Sequence, residues 1–450
     1  MTTFPPDFLW GVSTAAYQIE GSVDDGKGAS IWDAFAHQSG RVRDGTSGDV
    51  ACDHVKRMDE DLDLLAELGV GAYRFSIAWT RLFPTGKGRL RRAGMDVYER
   101  LVDGLLERDI EPWACLYHWD LPLALQDAGG WASRETVERF ADYAAAVGDG
   151  LGDRVRHLMM LNEPNAHAML GHLLGVHAPG LSDMDAFRGA LHHQNLATGL
   201  GVARLRDARP ELQLGTILNL QPVVAAEAGE EHALAAELLD ALWNRCTLDP
   251  LLLGRYPAAV AGMLGAIADA DADLALIRQP LDVLGVNFYT RTHVRASAES
   301  LFGLEQAPAP AGSQTTAMGW EVVPEALHAQ LLELKERYGN PPVVIAENGA
   351  AFEDPPPVDG RVEDPERVSY LLRHLEALER ARRDGCDVRG YFVWTLVDNF
   401  EWAEGFSKRF GLVQLDLDSQ RRTRKRSFDA YRAIVAGEAP SASGARDDGG

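Results

Sequence analysis

Eight short, largely apolar runs recur along this 450-residue chain, and each is followed by a longer segment of helical spacing. They are Leu9 to Ser13, Ala72 to Ile77, Pro112 to Tyr117, Leu158 to Leu161, Gln213 to Leu218, Val283 to Phe288, Val343 to Ala346 and Arg389 to Trp394. Runs of this length and apolarity read as strands buried on both faces, which pair in parallel and need helical crossovers. Eight such alternations predict an α/β fold of one domain, a (β/α)8 TIM barrel over residues 1–436. Residues 437–450 are small, polar and aperiodic, and a disordered tail is expected there.

The helical segments carry their own signals. Asp53 to Leu68 places Val55, Met58, Leu62, Leu65 and Leu68 on one face and stops at Gly69. Asp364 and Pro365 read as an N-cap and a first-turn proline ahead of Val368, Leu371, Leu372, Leu375 and Leu378. Ser133 to Leu151 and Met95 to Leu106 read likewise. Two long irregular stretches, Ala298 to Trp320 and Glu353 to Glu363, are expected as loops over the barrel mouth.

Charge narrows the partners. With 44 Lys+Arg against 67 Asp+Glu the net charge is −23, which repels phosphate backbones and anionic lipid. Nucleic acid and membrane surfaces are therefore poor partners. The four cysteines are far apart in sequence, so neither a zinc cluster nor a disulfide framework is indicated. The first residues lack a basic segment followed by an apolar one, so the expected location is cytoplasmic. Many of the 10 Trp follow predicted strands, a placement that favours stacking on a flat ligand.

Two of the runs end in chemistry. Arg156 to Leu161 is closed by Asn162, Glu163 and Pro164, and the residue before a proline is expected in extended geometry. Pro342 to Ala346 is closed by Glu347, Asn348 and Gly349. Two carboxylates at the mouth of one barrel suit glycoside cleavage, one giving a proton and the other acting as nucleophile or base, without a metal or other cofactor. Each also has an asparagine beside it, an amide able to donate to a sugar hydroxyl. The competing interpretation is that both are ordinary surface or salt-bridged glutamates.

Longer motifs bear on that choice. Phe8 to Gly21 reads FLWGVSTAAYQIEG, Tyr73 to Gly86 YRFSIAWTRLFPTG, Leu116 to Pro122 LYHWDLP and Leu161 to Pro164 LNEP. Gly285 to Thr290 reads GVNFYT, Ile345 to Gly349 IAENG, and Tyr391 to Asp416 YFVWTLVDNFEWAEGFSKRFGLVQLD. In this order the chain resembles glycoside hydrolase family 1, the β-glucosidase family, over nearly its whole length. The resemblance implies a retaining β-glucosidase, with Glu163 as acid/base and Glu347 as nucleophile of a double displacement. It implies Arg74 and Tyr289 as the nucleophile's hydrogen-bond partners and Asn162 as holder of the sugar 2-hydroxyl. Gln18, His118, Glu401 and Trp402 would grip the other hydroxyls over a floor made by Trp394, with Trp119 and Asn287 in the same shell. Taken singly, without the resemblance, His118 reads more readily as a satisfied core histidine and Trp394 as a packing residue.

The implied substrates are small β-glucosides or cello-oligosaccharides, with some β-galactoside or β-fucoside activity. Glu401 and Trp402 stand where relatives that act on 6-phosphorylated sugars are expected to offer groups suited to a phosphate, so an unphosphorylated glucoside is expected. Departures from the family pattern are Asn165 in place of a common Trp, Gly171-His172 in place of Gly-Tyr, and Phe406 and Gln414 in place of frequent Tyr. They are expected around the leaving group, where Trp320 could still stack. A 6-phosphoglycosidase, a sugar-binding protein without catalysis and a transglycosylase are the alternatives, and subunit number stays open.

Overall fold

Each apolar run becomes a strand because its two faces meet different partners, the barrel interior and the surrounding helices. In the computed structural model, which describes residues 4–264 and 270–439, eight parallel strands close on themselves. They are β1 (Leu9–Ser13), β2 (Ala72–Ser76), β3 (Glu111–Tyr117), β4 (His157–Asn162), β5 (Gln213–Asn219), β6 (Val283–Asn287), β7 (Val343–Asn348) and β8 (Val388–Trp394). Sequence order is spatial order, and β1 closes the ring by pairing with both β2 and β8. The expected (β/α)8 barrel is the observed fold. The part of the expected tail from residue 440 onward lies outside the described residues.

The interior is identified by contact. Ala72, Trp113, Cys115, Met159, Ile217, Val283, Val344, Ala346 and Phe392 form one buried cluster with Leu9 packed against it, so all eight strands contribute. Only inward-facing positions can meet this way. A separate, larger cluster joins the outward faces to the helices, among them His54–Leu68, Arg92–Leu106, Glu135–Leu151 and Pro365–Arg383. All four cysteines are buried and free. Among the described residues no helix is long and apolar enough to cross a membrane.

Three local expectations are corrected. Asp364 precedes the helix Pro365–Arg383, but its carboxylate does not cap it. It accepts instead from Ser427 N at 2.8 Å and Ser427 Oγ at 2.6 Å and pairs with Arg367, because a buried guanidinium binds a carboxylate more strongly than a helix end does. The stretch from Ala298 to Trp320 is not wholly irregular, since Leu304–Ala307 pairs antiparallel with Thr292–Ala296 and the latter with Val223–Ala225. From Glu353 to Glu363 no residue lines the mouth cavity; Asp354 is instead buried against Arg367 and Lys425.

Candidate active site

Both key strands carry a β-bulge just before their carboxylate. In β4 the pairing with β5 steps from Met159↔Gly215 to Asn162↔Ile217, and in β7 the pairing with β6 steps from Ile345↔Val286 to Glu347↔Asn287. A bulge shifts the in-and-out alternation by one residue and so re-aims the side chains beyond it. In β7, Val344 and Ala346 face the interior cluster, and the slip brings Glu347, rather than Asn348, to the mouth. Asn348 turns outward, where its amide donates to Phe288 O at 2.7 Å and Tyr370 at 3.0 Å and accepts from Tyr391 at 2.8 Å. The expectation that Asn348 could serve a sugar hydroxyl is therefore corrected: its hydrogen-bonding capacity is taken up by the scaffold.

Gly349 follows for a steric reason. A Cβ there would lie 1.9 Å from the carbonyl oxygen of Trp394, so only glycine lets β7 and the end of β8 approach this closely.

Glu163 lies one residue beyond β4, not in the expected extended geometry but at φ 48° and ψ 56°, the left-handed region. Proline disfavours the right-handed helical region for its predecessor and leaves this alternative open. The turn is pinned by Glu163 N donating to Ile217 O at 2.8 Å and by Glu163 O accepting from His167 N at 2.9 Å. Trp119 (φ 77°) and Trp402 (φ 49°) share this rare conformation, and backbone strain of this kind gathers at functional sites.

The two carboxylates line one cavity of about 470 Å³ and differ in their partners. Glu163 Oε1 accepts from the amides of Asn287 at 2.7 Å and Asn219 at 3.0 Å, and among the described residues no cation pairs with it. Burial raises its carboxyl to about 7, and the charge of Glu347 adds to the rise. Glu347 Oε1 is paired with the guanidinium of Arg74, and its Oε2 accepts from Tyr289 at 2.6 Å. Arg74 Nη2 also donates to Asn162 Oδ1 at 2.7 Å, and Asn287 reaches the same oxygen at 3.0 Å. The network thus runs unbroken from Glu347 through Arg74, Asn162 and Asn287 to Glu163.

The remaining candidates surround this axis. Asn162 Nδ2 donates to His118 Nε2 at 2.9 Å, and burial holds that imidazole neutral, well below its ordinary range. Trp119 donates to Asn162 O at 2.9 Å. Gln18 gives its amide N–H to Phe400 O at 2.8 Å and Asn399 at 3.1 Å, which leaves its Oε1 without a partner beside Glu401. Glu401 Oε2 is likewise unpartnered, and burial raises this carboxyl to about 8. An unpartnered amide oxygen beside an unpartnered carboxyl that keeps its proton at neutral pH offers both acceptor and donor capacity to the hydroxyls of a polyol. Trp394, Trp402 and Trp320 line the cavity, whereas Gln18, Arg74 and Asn287 sit behind its surface.

Five Trp residues line the cavity and five do not, since Trp10, Trp32, Trp79, Trp113 and Trp131 pack in or against the core. Only the first five are placed where they could meet a ligand. None of the four departures from the family pattern, Asn165, His172, Phe406 and Gln414, lines the cavity. Asn165 is a strut, donating to Asn219 O at 2.7 Å and Trp243 O at 2.9 Å. Asn219 and Trp243 went unnoticed in the sequence. Asn219 carried a readable signal, an asparagine ending a strand as Asn162, Asn287 and Asn348 do.

Residues 1–439 match the profile described as glycosyl hydrolase family 1. A β-glucosidase of Agrobacterium sp. is 46% identical over 442 residues, covering 96% of this chain and 95% of its own. A bifunctional β-D-glucosidase/β-D-fucosidase of Bifidobacterium breve is 46% identical over 459 residues, covering 96% and 98%. The solved family 1 β-glucosidase of Thermotoga maritima superposes with a TM-score of 0.95 at 41% identity, covering 98% of this chain and all of that one. A barrel closed in this order, two bulged strands delivering paired carboxylates, and a match over nearly every residue place the chain in glycosyl hydrolase family 1.

Proposed function

We propose that the chain is a retaining β-glucosidase that removes terminal nonreducing β-D-glucosyl residues by double displacement. The observation that carries this reading is the asymmetry of the carboxylate pair. Glu163, held by amides and raised to about 7 by burial, is the proton donor to the leaving oxygen. Glu347, oriented by Arg74 and Tyr289, attacks the anomeric carbon. Once the glucosyl-enzyme has formed, Glu163, now ionised, takes a proton from water and the second displacement restores the β configuration.

Asn162 holds the 2-hydroxyl, and its tie to Arg74 couples that contact to the nucleophile. Gln18, His118, Glu401 and Trp402 bind the other hydroxyls, with Trp394 beneath the ring and Trp119 and Asn287 fixing Asn162. Five glutamates, 163, 305, 347, 401 and 404, line the cavity, and none of its described lining residues is Lys or Arg. The ionised Glu347 favours a developing oxocarbenium ion, and a sugar phosphate would lose water here without meeting a cation in the described lining. The expected substrates are small glucosides, with fucosides and galactosides as secondary ones, and the enzyme acts in the cytoplasm.

The test is hydrolysis of p-nitrophenyl β-glucoside followed by proton NMR from the first turnover. β-Glucose as the first-formed anomer supports the reading, and α-glucose or no turnover overturns it.

A further inference from the structure

The cavity has two unlike halves. Around Glu401 and Gln18 there are buried oxygen atoms without partners, as a polyol requires. The other half adjoins the acid, because Asn219, which donates to Glu163, is joined to that wall by Gln221 and Trp243. A leaving group protonated by Glu163 has to lie on this side.

That wall is apolar. Leu170 and Leu173 come from a π-helical turn (Met169–Leu173), Leu239, Leu242 and Trp243 from the helix Glu230–Asp240 and the π-turn after it, and Phe302 from the turn before Leu304–Ala307. At the rim Leu174 and Leu301 are 47% and 51% exposed, a large apolar surface to leave in water at a cavity mouth. Gln221, Trp243, Thr290 and Glu305 among them are already engaged. Gln221 donates to Asn219 Oδ1 at 2.9 Å and accepts from Thr292 at 2.6 Å, and Trp243 Nε1 donates to Asn219 Oδ1 at 3.2 Å. Thr290 donates to Glu321 O at 3.0 Å, and Glu305 is paired with Arg295 at 2.6 Å. Hydroxyl groups placed here would lose water and find few free partners, which penalises them.

We propose that the leaving-group half of the cavity is built for an apolar aglycone, an alkyl or aryl group, in preference to a second sugar; this rests on the glucosidase reading above. The wall supplies contact area and little directional bonding, so the preference scales with apolar area rather than with a particular shape.

The experiment compares kcat/KM for methyl, butyl and hexyl β-glucosides and cellobiose, all of which release aliphatic alcohols and so keep the chemistry similar. The expected result is a rise of roughly two- to fourfold per methylene, with hexyl glucoside above cellobiose. In the double variant Phe302→Asn with Leu239→Gln, the hexyl-to-methyl ratio is expected to fall at least about tenfold. Asparagine tolerates the φ of +62° at position 302, so that exchange removes apolar area without added backbone strain. A flat series in the active wild-type enzyme, or cellobiose above hexyl glucoside, overturns the proposal and leaves the glucosidase reading standing. If no β-glucoside is turned over, that reading fails and this one with it.

Discussion

Asn287 Nδ2 lies 2.7 Å from Glu163 Oε1 and donates to it, while the same nitrogen reaches Asn162 Oδ1 at 3.0 Å. One uncharged amide therefore joins the proposed acid to the residue that Arg74 ties to the proposed nucleophile. The division of labour follows from this wiring. A carboxyl buried beside another carboxylate resists losing its proton even though two amides donate to it, and a carboxylate facing a guanidinium has a charged partner that orients it.

The first consequence is a pH profile. Glu163 has its carboxyl raised to about 7, and it works only when protonated, so kcat/KM should decline as pH rises through about 7. Glu163→Gln cannot lose that proton. With a dinitrophenyl glucoside, whose departure needs no acid, the alkaline limb should be missing in this variant. A limb of the same midpoint in Glu163→Gln would assign it to another group.

Glu347→Gly should lower hydrolysis by roughly 10⁴-fold or more, since loss of a nucleophile removes the whole first displacement. Azide can enter the vacated space and attack from the same side, giving α-glucosyl azide from an activated β-glucoside. Mass spectrometry and the anomeric coupling constant read the product. Retained wild-type turnover would remove Glu347 from its role.

Glu163→Ala should separate substrates by leaving group. For alkyl glucosides the loss should be about 10²- to 10⁴-fold, the range of general acid catalysis, and for dinitrophenyl glucosides the glycosylation step should change little. Pre-steady-state rates distinguish that step from the slowed hydrolysis of the intermediate. Equal losses in glycosylation for both classes would contradict the assignment.

Charge gives the next expectation. A dianion placed in this cavity would give up its water and meet no Lys or Arg in the described lining to replace it, which opposes binding. Lys408, a nearby cation in sequence, has its ammonium on Ala317 O at 2.7 Å. Activity on p-nitrophenyl β-glucoside should exceed that on its 6-phosphate by at least about 100-fold, the factor that ~3 kcal/mol makes. The reverse ranking would overturn the choice of unphosphorylated substrate.

What the sequence disclosed follows from which features are local. Strands buried on two faces print themselves as apolar runs, so all eight were legible, with ends displaced by one or two residues. Glu163 and Glu347 were visible because each ends such a run. The bulges were not, because a slipped register is a relation between two strands, and without it Asn348 reads as a ligand rather than a strut. The apolar wall was also hidden. It is assembled from Met169–Leu173, the helix Glu230–Asp240 with the turn Ala241–Arg245 after it, and the turn Leu301–Gly303, segments far apart in the chain whose meeting leaves little periodic trace.

Least legible of all was a buried ionic group behind the segment that carries Glu401 and Trp402. Lys425 is fully buried, with its ammonium 2.5 Å from Asp354 and 2.7 Å from Asp398. Asp398 Oδ1 also accepts from Gly411 N at 2.8 Å, and Arg367, bound to Asp354 and Asp364, donates to Arg409 O at 2.7 Å. The two cations therefore hold both ends of residues 398–411. Burial drives the ammonium of Lys425 below its ordinary range, with Arg367 pushing the same way, and the paired aspartates oppose both. Lys425→Met would leave Asp354, Asp364 and Asp398 facing Arg367 alone, and a buried charge stripped of its partner costs about 3–5 kcal/mol. The variant should melt roughly 5 °C or more below wild type in calorimetry, with a raised KM as Glu401 loses its fixed position. Adding Asp398→Asn should recover part of the loss, because it removes one of the stranded charges. Strict additivity of the two substitutions would show that Lys425 and Asp398 do not act as a pair, and the clamp on Glu401 would have to be sought elsewhere.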